Sequence, residues 1–241
     1  VSDKKIELIS QLLNKAESTT PEEAEALTEH AERLMVKYAI DQAVIDERRS
    51  KQGGASEEII EVRIEFTGAY RGEMLNLAAN VVYGLGVLRC MQNTRGKSFS
   101  FWIIGFESDV EQAKVLITSL QVQSAVAVRA WWKGQKDIYT HRTSYDQEKA
   151  RRSFVHGFGT GAGARISASR QQAVQEASSG TELVLVSREA KVQTYLAGKT
   201  TRVARQRKAT GRDSAATSGY AAGQKANTGD KAMTQGRGIS A

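Results

Sequence analysis

One cysteine, one proline and three histidines stand among 241 residues. A lone Cys90 can neither close an internal disulfide nor build a thiolate zinc site, and His30, His141 and His156 are too few and too scattered for a histidine-rich one. No metal or other cofactor is therefore expected. No apolar run approaches the roughly 18 residues that a membrane span requires. The chain opens on Val1-Ser2-Asp3-Lys4-Lys5 rather than on the basic-then-apolar pattern of a secretory leader, so a cytoplasmic protein with no membrane partner is the expectation. Catalytic signatures are missing as well: there is no His-Glu-x-x-His, no Gly-x-Ser-x-Gly and no His/Cys cluster. The carboxylates Glu73, Glu107, Asp109, Glu111, Asp137 and Asp146 are scattered, which ranks an enzyme behind a binding protein.

What is present in quantity is positive charge, unevenly placed. Residues 1 to 66 carry nine Lys and Arg against 15 Asp and Glu, whereas the whole chain has 34 against 27 and a net charge of +7. The front is acidic and the back basic. Residues 188 to 241 hold 11 basic and three acidic residues, with Lys199, Arg202, Arg205, Arg207, Lys208 and Arg212 in one short run. Such a run suits a polyanion, because it gains affinity by releasing condensed counterions and reads no sequence. It also suits a merely solvated segment, or an acidic protein partner.

Periodicity divides the chain into four parts. Ile6, Ile9, Leu12, Leu13 and Ala16, then Ala24, Leu27, Ala31, Leu34, Met35 and Tyr38, fall at helical spacing and predict a helical hairpin domain over 1–46. Thr20, Pro21 and Glu23 form the capping box that opens its second helix. Residues 47–57 are polar with a Gly pair and read as a linker. An α+β core is expected over 58–198. Ile60, Val62, Ile64 and Phe66 alternate with polar residues as a strand does, Tyr70 to Leu85 returns to helical spacing, and Val87–Met91 and Ser98–Phe106 read as strands joined by Gln92–Lys97. Ser108 and Glu111 predict a capping box on a long helix ending near Trp131, followed by an exposed connection over 133–144. The order β-α-β-β-α implies a small, mainly antiparallel sheet. Further helical sequence over Tyr145–Ala177, a late strand at Leu183–Val186 and a short helix near Val192–Leu196 complete the core. Residues 199–241 read as a basic, Gly-rich tail, disordered beyond Gly211 unless a partner orders it.

Two segments invite a chemical reading. Gly159, Gly161 and Ala164 satisfy G-x-G-x-x-A, but no hydrophobic strand precedes them and no Gly-Lys-Ser/Thr accompanies them. Gly157, Gly159, Gly161 and Gly163 are better read as a small-residue face on which two backbones approach closely within a helical hairpin. Secondly, Arg151, Arg152, Arg165 and Arg170 lie near Trp131, Trp132, Tyr139 and His141 in sequence, and such an aromatic-basic surface stacks bases and contacts phosphates. Alternatively, the Trp pair closes the end of the long helix with one ring buried.

Lys5-Ile6, Leu12-Leu13, Lys15–Thr19, Pro21–Ala26, Ala31 and Leu34–Ile40 resemble the N-terminal domain of bacterial and phage proteins known as domain of unknown function 2786. Ile104–Glu111, Thr118–Gln123, Arg152–Phe154, Gly157-Phe158 and Arg165 are similar to the domain that usually follows it, and Gly219–Gly223 with Ala226-Asn227 resembles its C-terminal segment. The resemblance implies a phage or mobile-element context, in a bacterial host cell or a virion, and carries no activity. Two functions are compatible with these residues. One is a non-enzymatic nucleic-acid-associated protein that contacts DNA or RNA through Lys199, Arg202, Arg205, Arg207, Lys208 and Arg212, with Arg151, Arg152 and Arg165 in support. The alternative is an interaction or assembly protein that binds a host or virion protein complex.

Overall fold

The computed structural model describes residues 57–176, 181–199 and 213–226, the helical segment 43–47, and the isolated positions Leu8, Gln11, Leu12, Lys15, Leu34 and Gln52. The Thr20–Glu23 capping box, most of the 47–57 linker, the cations from Arg202 to Arg212 and the chain beyond Ala226 lie outside these residues.

Three strands form one antiparallel sheet in the order β1-β3-β2: β1 is Ile59–Phe66, β2 is Arg89–Asn93 and β3 is Phe99–Phe106. Ile60 pairs with Gly105 and Phe66 with Phe99 across β1 and β3, and Cys90 pairs with Ile103 across β2 and β3. The alternation of β1 thus sends Ile60, Val62, Ile64 and Phe66 to the side occupied by Phe101 and Ile103, where they join the main core. Helix α1, Arg71–Leu85, follows β1, and helix α2, Glu107–Tyr139, follows β3. Both contact β1 and β3. The α+β class and the β-α-β-β-α order are as the periodicity predicts.

Four local expectations are corrected. The long helix does not stop near Trp131 but runs to Tyr139, so the connection to helix α3, Ser144–Glu176, is only the turn 140–143. Long, unbranched Lys133, Gln135 and Lys136 sustain the helix without needing burial, and Thr143 starts the next one by accepting the amide of Asp146 at 3.1 Å while donating to its carboxylate. Ser108 and Glu111 form no capping box: the helix starts two residues earlier, at Glu107 with Phe106 as N-cap, and Glu57 reaches in to accept the Ser108 amide. Leu183–Val186 is not a strand but part of helix α4, Thr181–Ala197, whose buried Thr181, Leu185, Arg188 and Val192 recur at helical spacing. Val192 and Leu196 pack with Ile104, Phe106, Ile59 and Met91 on the outer sheet face. Finally, the region beyond Gly211 contains an ordered helix, α5, Ser214–Gln224, N-capped by Asp213, whose carboxylate accepts the Ala216 amide at 2.7 Å.

The glycines of α3 explain why α5 is ordered. Gly157 and Gly161, four apart, lie on one side of α3, and Gly159 and Gly163 on the opposite side. A Cβ at Gly157 would overlap Ala216 O and one at Gly161 would overlap Tyr220 O, while reciprocally Gly219 and Gly223 of α5 lie against Phe154 O and Phe158 O. On the other side, a Cβ would meet Leu77 Cα at 2.9 Å from Gly159 and Asn80 Cβ at 2.7 Å from Gly163. Helix α3 is therefore threaded between α1 and α5 with backbones in contact on both sides. Close approach is as expected, but to two separate helices rather than within one helical hairpin.

Gly134 in α2 is the contrasting case, exposed and with nothing within 4 Å of where its Cβ would stand. Gly134→Ala is expected to stabilise the fold by about 0.5–1 kcal/mol through backbone entropy alone, read as an upward shift of the urea midpoint.

Candidate functional site

Chain connectivity brings the aromatic and basic residues of α2 and α3 together at one end of their hairpin. Trp131 stacks on Phe154 with centroids 4.8 Å apart and joins the cluster of Val128, Phe154 and Val155. Trp132, its ring 5.9 Å from that of Trp131, carries the Arg151 guanidinium 4.9 Å from its ring centroid, with Tyr139 at 5.3 Å. Both rings are half-buried and the helix continues past them to Tyr139, so the pair does not close the helix end. Beside Trp132 opens a cavity of about 360 Å³, lined by Tyr70 and Met74 of the α1 entry, Ala125, Val128 and Arg129 of α2, and Arg151 and Val155 of α3.

The sequence-selected cations have diverse fates. Arg152 is engaged by Glu73 at 2.9 Å and Glu148 at 3.3 Å, and its pKa is raised chiefly by the hydrogen bond it donates to Glu73. Arg165 is buried, and its guanidinium donates to Gln224 O at 3.0 Å and Ala226 O at 2.8 Å, closing the carbonyl end of α5. A surface role for Arg165 is incompatible with that burial; Ala162 and Ile166, buried on the same stripe, foreshadow it. Lys199 pairs with Glu61 of β1 and lies over the Tyr195 ring. Arg151 alone of these described residues faces the cavity, and its Nε is buried without a partner. Arg129, Tyr70 and Met74 were not evident from sequence, since nothing in their local spacing marks them.

A second constellation lies on the other side of the sheet. Arg188 is 2% exposed and donates to Asp109 at 2.8 Å, Glu57 at 3.0 Å and Asp46 at 3.3 Å, with its guanidinium 3.8 Å from the Phe106 centroid. Asp46 also accepts the Glu57 amide at 2.8 Å. One cation thus joins the segment 43–47, the start of β1, the first turn of α2 and the middle of α4. Burial raises the Asp109 pKa despite the pull of Arg188, and that of Arg188 is raised because Asp109 and Glu57 outweigh the cost of burying it. Arg188 sits where a metal would if the three carboxylates were ligands; among the described residues no group of His, Cys, Asp and Glu is arranged to hold an ion. Likewise, no described helix is long and apolar enough to cross a membrane.

Residues 4–42 match the family model described as protein of unknown function (DUF2786). No curated protein and no solved structure gave a match. The match stops short of the α+β core, to which Leu12, Leu34 and Ala43 nevertheless pack.

Proposed function

We propose that this chain is a non-enzymatic nucleic-acid-associated protein, working in a bacterial cell that carries a phage or mobile element, and that it holds DNA or RNA by sequence-independent phosphate contacts. The observation that carries the reading is the cationic run Arg202, Arg205, Arg207, Lys208 and Arg212 between two anchored helices. Before it, α4 is fixed to the sheet; after it, α5 is packed on α3. In sequence the run therefore connects two helices that are each held by the core, and ends held in this way limit the chain entropy lost when a connecting segment engages a phosphate backbone.

This attachment also decides the experiment. Truncation after Lys199 would remove α5 and expose the glycine face of α3, so charge must be removed without removing chain. The full chain and a variant with Arg202, Arg205, Arg207, Lys208 and Arg212 all changed to Gln are titrated with single- and double-stranded DNA and RNA across a salt series. Five phosphate contacts predict a log-log slope of about −4.5 on duplex DNA, from roughly −0.9 per contact, with most affinity lost in the variant. Affinity that hardly varies with salt would defeat the proposal.

The exposed Leu183 and Val186 on α4 favour the other reading, an assembly protein that docks on a host or virion protein. Absence of nucleic-acid binding at moderate salt, with a defined protein partner retained after nuclease treatment, would put it first.

A further inference from the structure

We infer that the cavity between α1, α2 and α3 is a binding site for one nucleotide unit, a planar heteroaromatic ring bearing a phosphate, taken from a single strand. The inference rests on the nucleic-acid reading above and adds to it which strand form is preferred and where one base is held.

The lining dictates the ligand. Met74, Ala125, Val128 and Val155 supply an apolar floor, Trp132 and Tyr70 supply rings, and Arg129 and Arg151 supply two positive charges. Other packed arginines have an acidic partner: Arg89 has Glu189, Arg152 has Glu73, and Arg188 has three. Arg129 and Arg151 have no carboxylate within ion-pair distance among the described residues, and no acid lines the cavity. Arg151 Nε is in addition buried and unbonded, a donor whose desolvation is uncompensated until an acceptor arrives. The acids on neighbouring elements are Glu73 and Glu148, which hold Arg152; Glu73 does so through Oε1, its Oε2 being buried without a partner. Tyr70 also immediately precedes α1, so the N-terminal end of that helix, with Glu73 in its first turn, lies at the cavity rim.

Other ligand classes fit less well. A wholly apolar guest would leave the buried Arg151 Nε without an acceptor. A bare phosphate would leave the apolar floor wet, and a cation would be repelled. A planar ring against Trp132 and the guanidinium plane of Arg151, with its phosphate toward exposed Arg129, satisfies every surface. The volume of about 360 Å³ is at the small end of small-molecule sites, roughly 300–1,000 Å³, which limits the occupant to one unit. A base stacked within a duplex cannot enter, so the site selects single strands or free nucleotides.

The test uses the full chain. Intrinsic Trp fluorescence is titrated with a nucleoside monophosphate, the matching nucleoside and inorganic phosphate, and the bound monophosphate is then challenged with a single-stranded oligonucleotide. Saturable quenching by the monophosphate is expected, with the nucleoside and phosphate each weaker on the order of tenfold, and displacement by the oligonucleotide. Arg129→Gln, at an exposed position, and Arg151→Gln are each expected to weaken the monophosphate about tenfold while the salt slope for duplex DNA stays as in the parent chain. Phosphate binding as tightly as the nucleotide would overturn the ring assignment. Failure of the oligonucleotide to compete would assign the cavity to free nucleotides and overturn the strand assignment. No response to the monophosphate, with salt-steep binding of oligonucleotides intact, would overturn the cavity while sparing the basic loop; loss of both would reject the two readings together.

Discussion

Arg188→Met is expected to cost about 3–5 kcal/mol of folding stability near neutral pH, the range for removing one partner of a buried ion group. Methionine replaces much of the side-chain volume, so the loss comes from charge: Asp46, Glu57 and Asp109 would be left facing one another where Arg188 now bonds to all three. The contact with the Phe106 face would go as well. The pH dependence separates this cause from a packing defect. Asp109 has its pKa raised in the folded chain by burial, above the unfolded value of roughly 3.9. A raised carboxylate pKa means that the folded state binds the proton more tightly. Its favourable contribution is fully present below the unfolded pKa and is lost as pH rises through the folded one. Without Arg188 the folded pKa rises further, so the deficit of Arg188→Met should be largest at neutral pH and shrink on acidification. Urea denaturation of both proteins over a pH series measures it. Adding Asp109→Asn to Arg188→Met should recover a substantial part of the loss, whereas Asp109→Asn alone should cost less than Arg188→Met, since Arg188 keeps two carboxylates. A variant within about 1 kcal/mol of the parent at neutral pH would contradict the account of this cluster.

That cluster also marks where sequence ceases to be sufficient. The strands of the sheet were legible because Ile60, Val62, Ile64 and Phe66 alternate within a single segment, and α1 because its buried residues recur within 15 positions. Leu183–Val186, four apolar residues in a row, reads as a strand in isolation. Only the longer stripe Thr181, Leu185, Arg188, Val192 reveals a helix, and that stripe contains a charge, which argues against burial until its partners are known. The partners are 79 to 142 residues away, and no local rule pairs them. At the cavity, Arg151 and Trp132 were legible as an aromatic-basic pair because a tight turn folds α2 back along α3. Tyr70 and Met74 come from another element, and their place depends on α1 lying across α3, a geometry set by Gly159 and Gly163. The charge run Lys199–Arg212 was plain from composition, but the helix that follows it was not, because a helix of Ala, Gly, Ser and Thr has little apolar mass to announce it. Residues 214–224 form a helix by docking small residues against small residues, where contact between backbones replaces the burial of large side chains.

That docking yields the other large effect. Gly161→Ala and Gly219→Ala are each expected to destabilise the protein by about 1–3 kcal/mol, the range for forcing extra carbon into a packed contact, even though alanine favours an isolated helix by about 1 kcal/mol over glycine. The obstacle in each case is a carbonyl of the facing helix, Tyr220 O for Gly161 and Phe154 O for Gly219. A carbonyl cannot rotate away as a flexible side chain can, so the helices must separate, and separation forfeits the contacts along the whole α3–α5 seam, including the two bonds by which Arg165 holds Gln224 and Ala226. The damage should be local: hydrogen exchange at the amides of 214–224 accelerates while the sheet amides keep their protection. Because both substitutions break the same seam, they should not add. Once Gly161→Ala has displaced α5, Gly219→Ala has little left to disrupt and regains helix propensity, so the double variant should lie nearer to the worse single variant than to the sum. Gly134→Ala, the same chemical change on an open face of α2, should have the opposite sign. If Gly161→Ala were stabilising like Gly134→Ala, or if the two seam substitutions added in full, α5 would not be held by backbone contact, and the basic loop that precedes it would lose its second anchor.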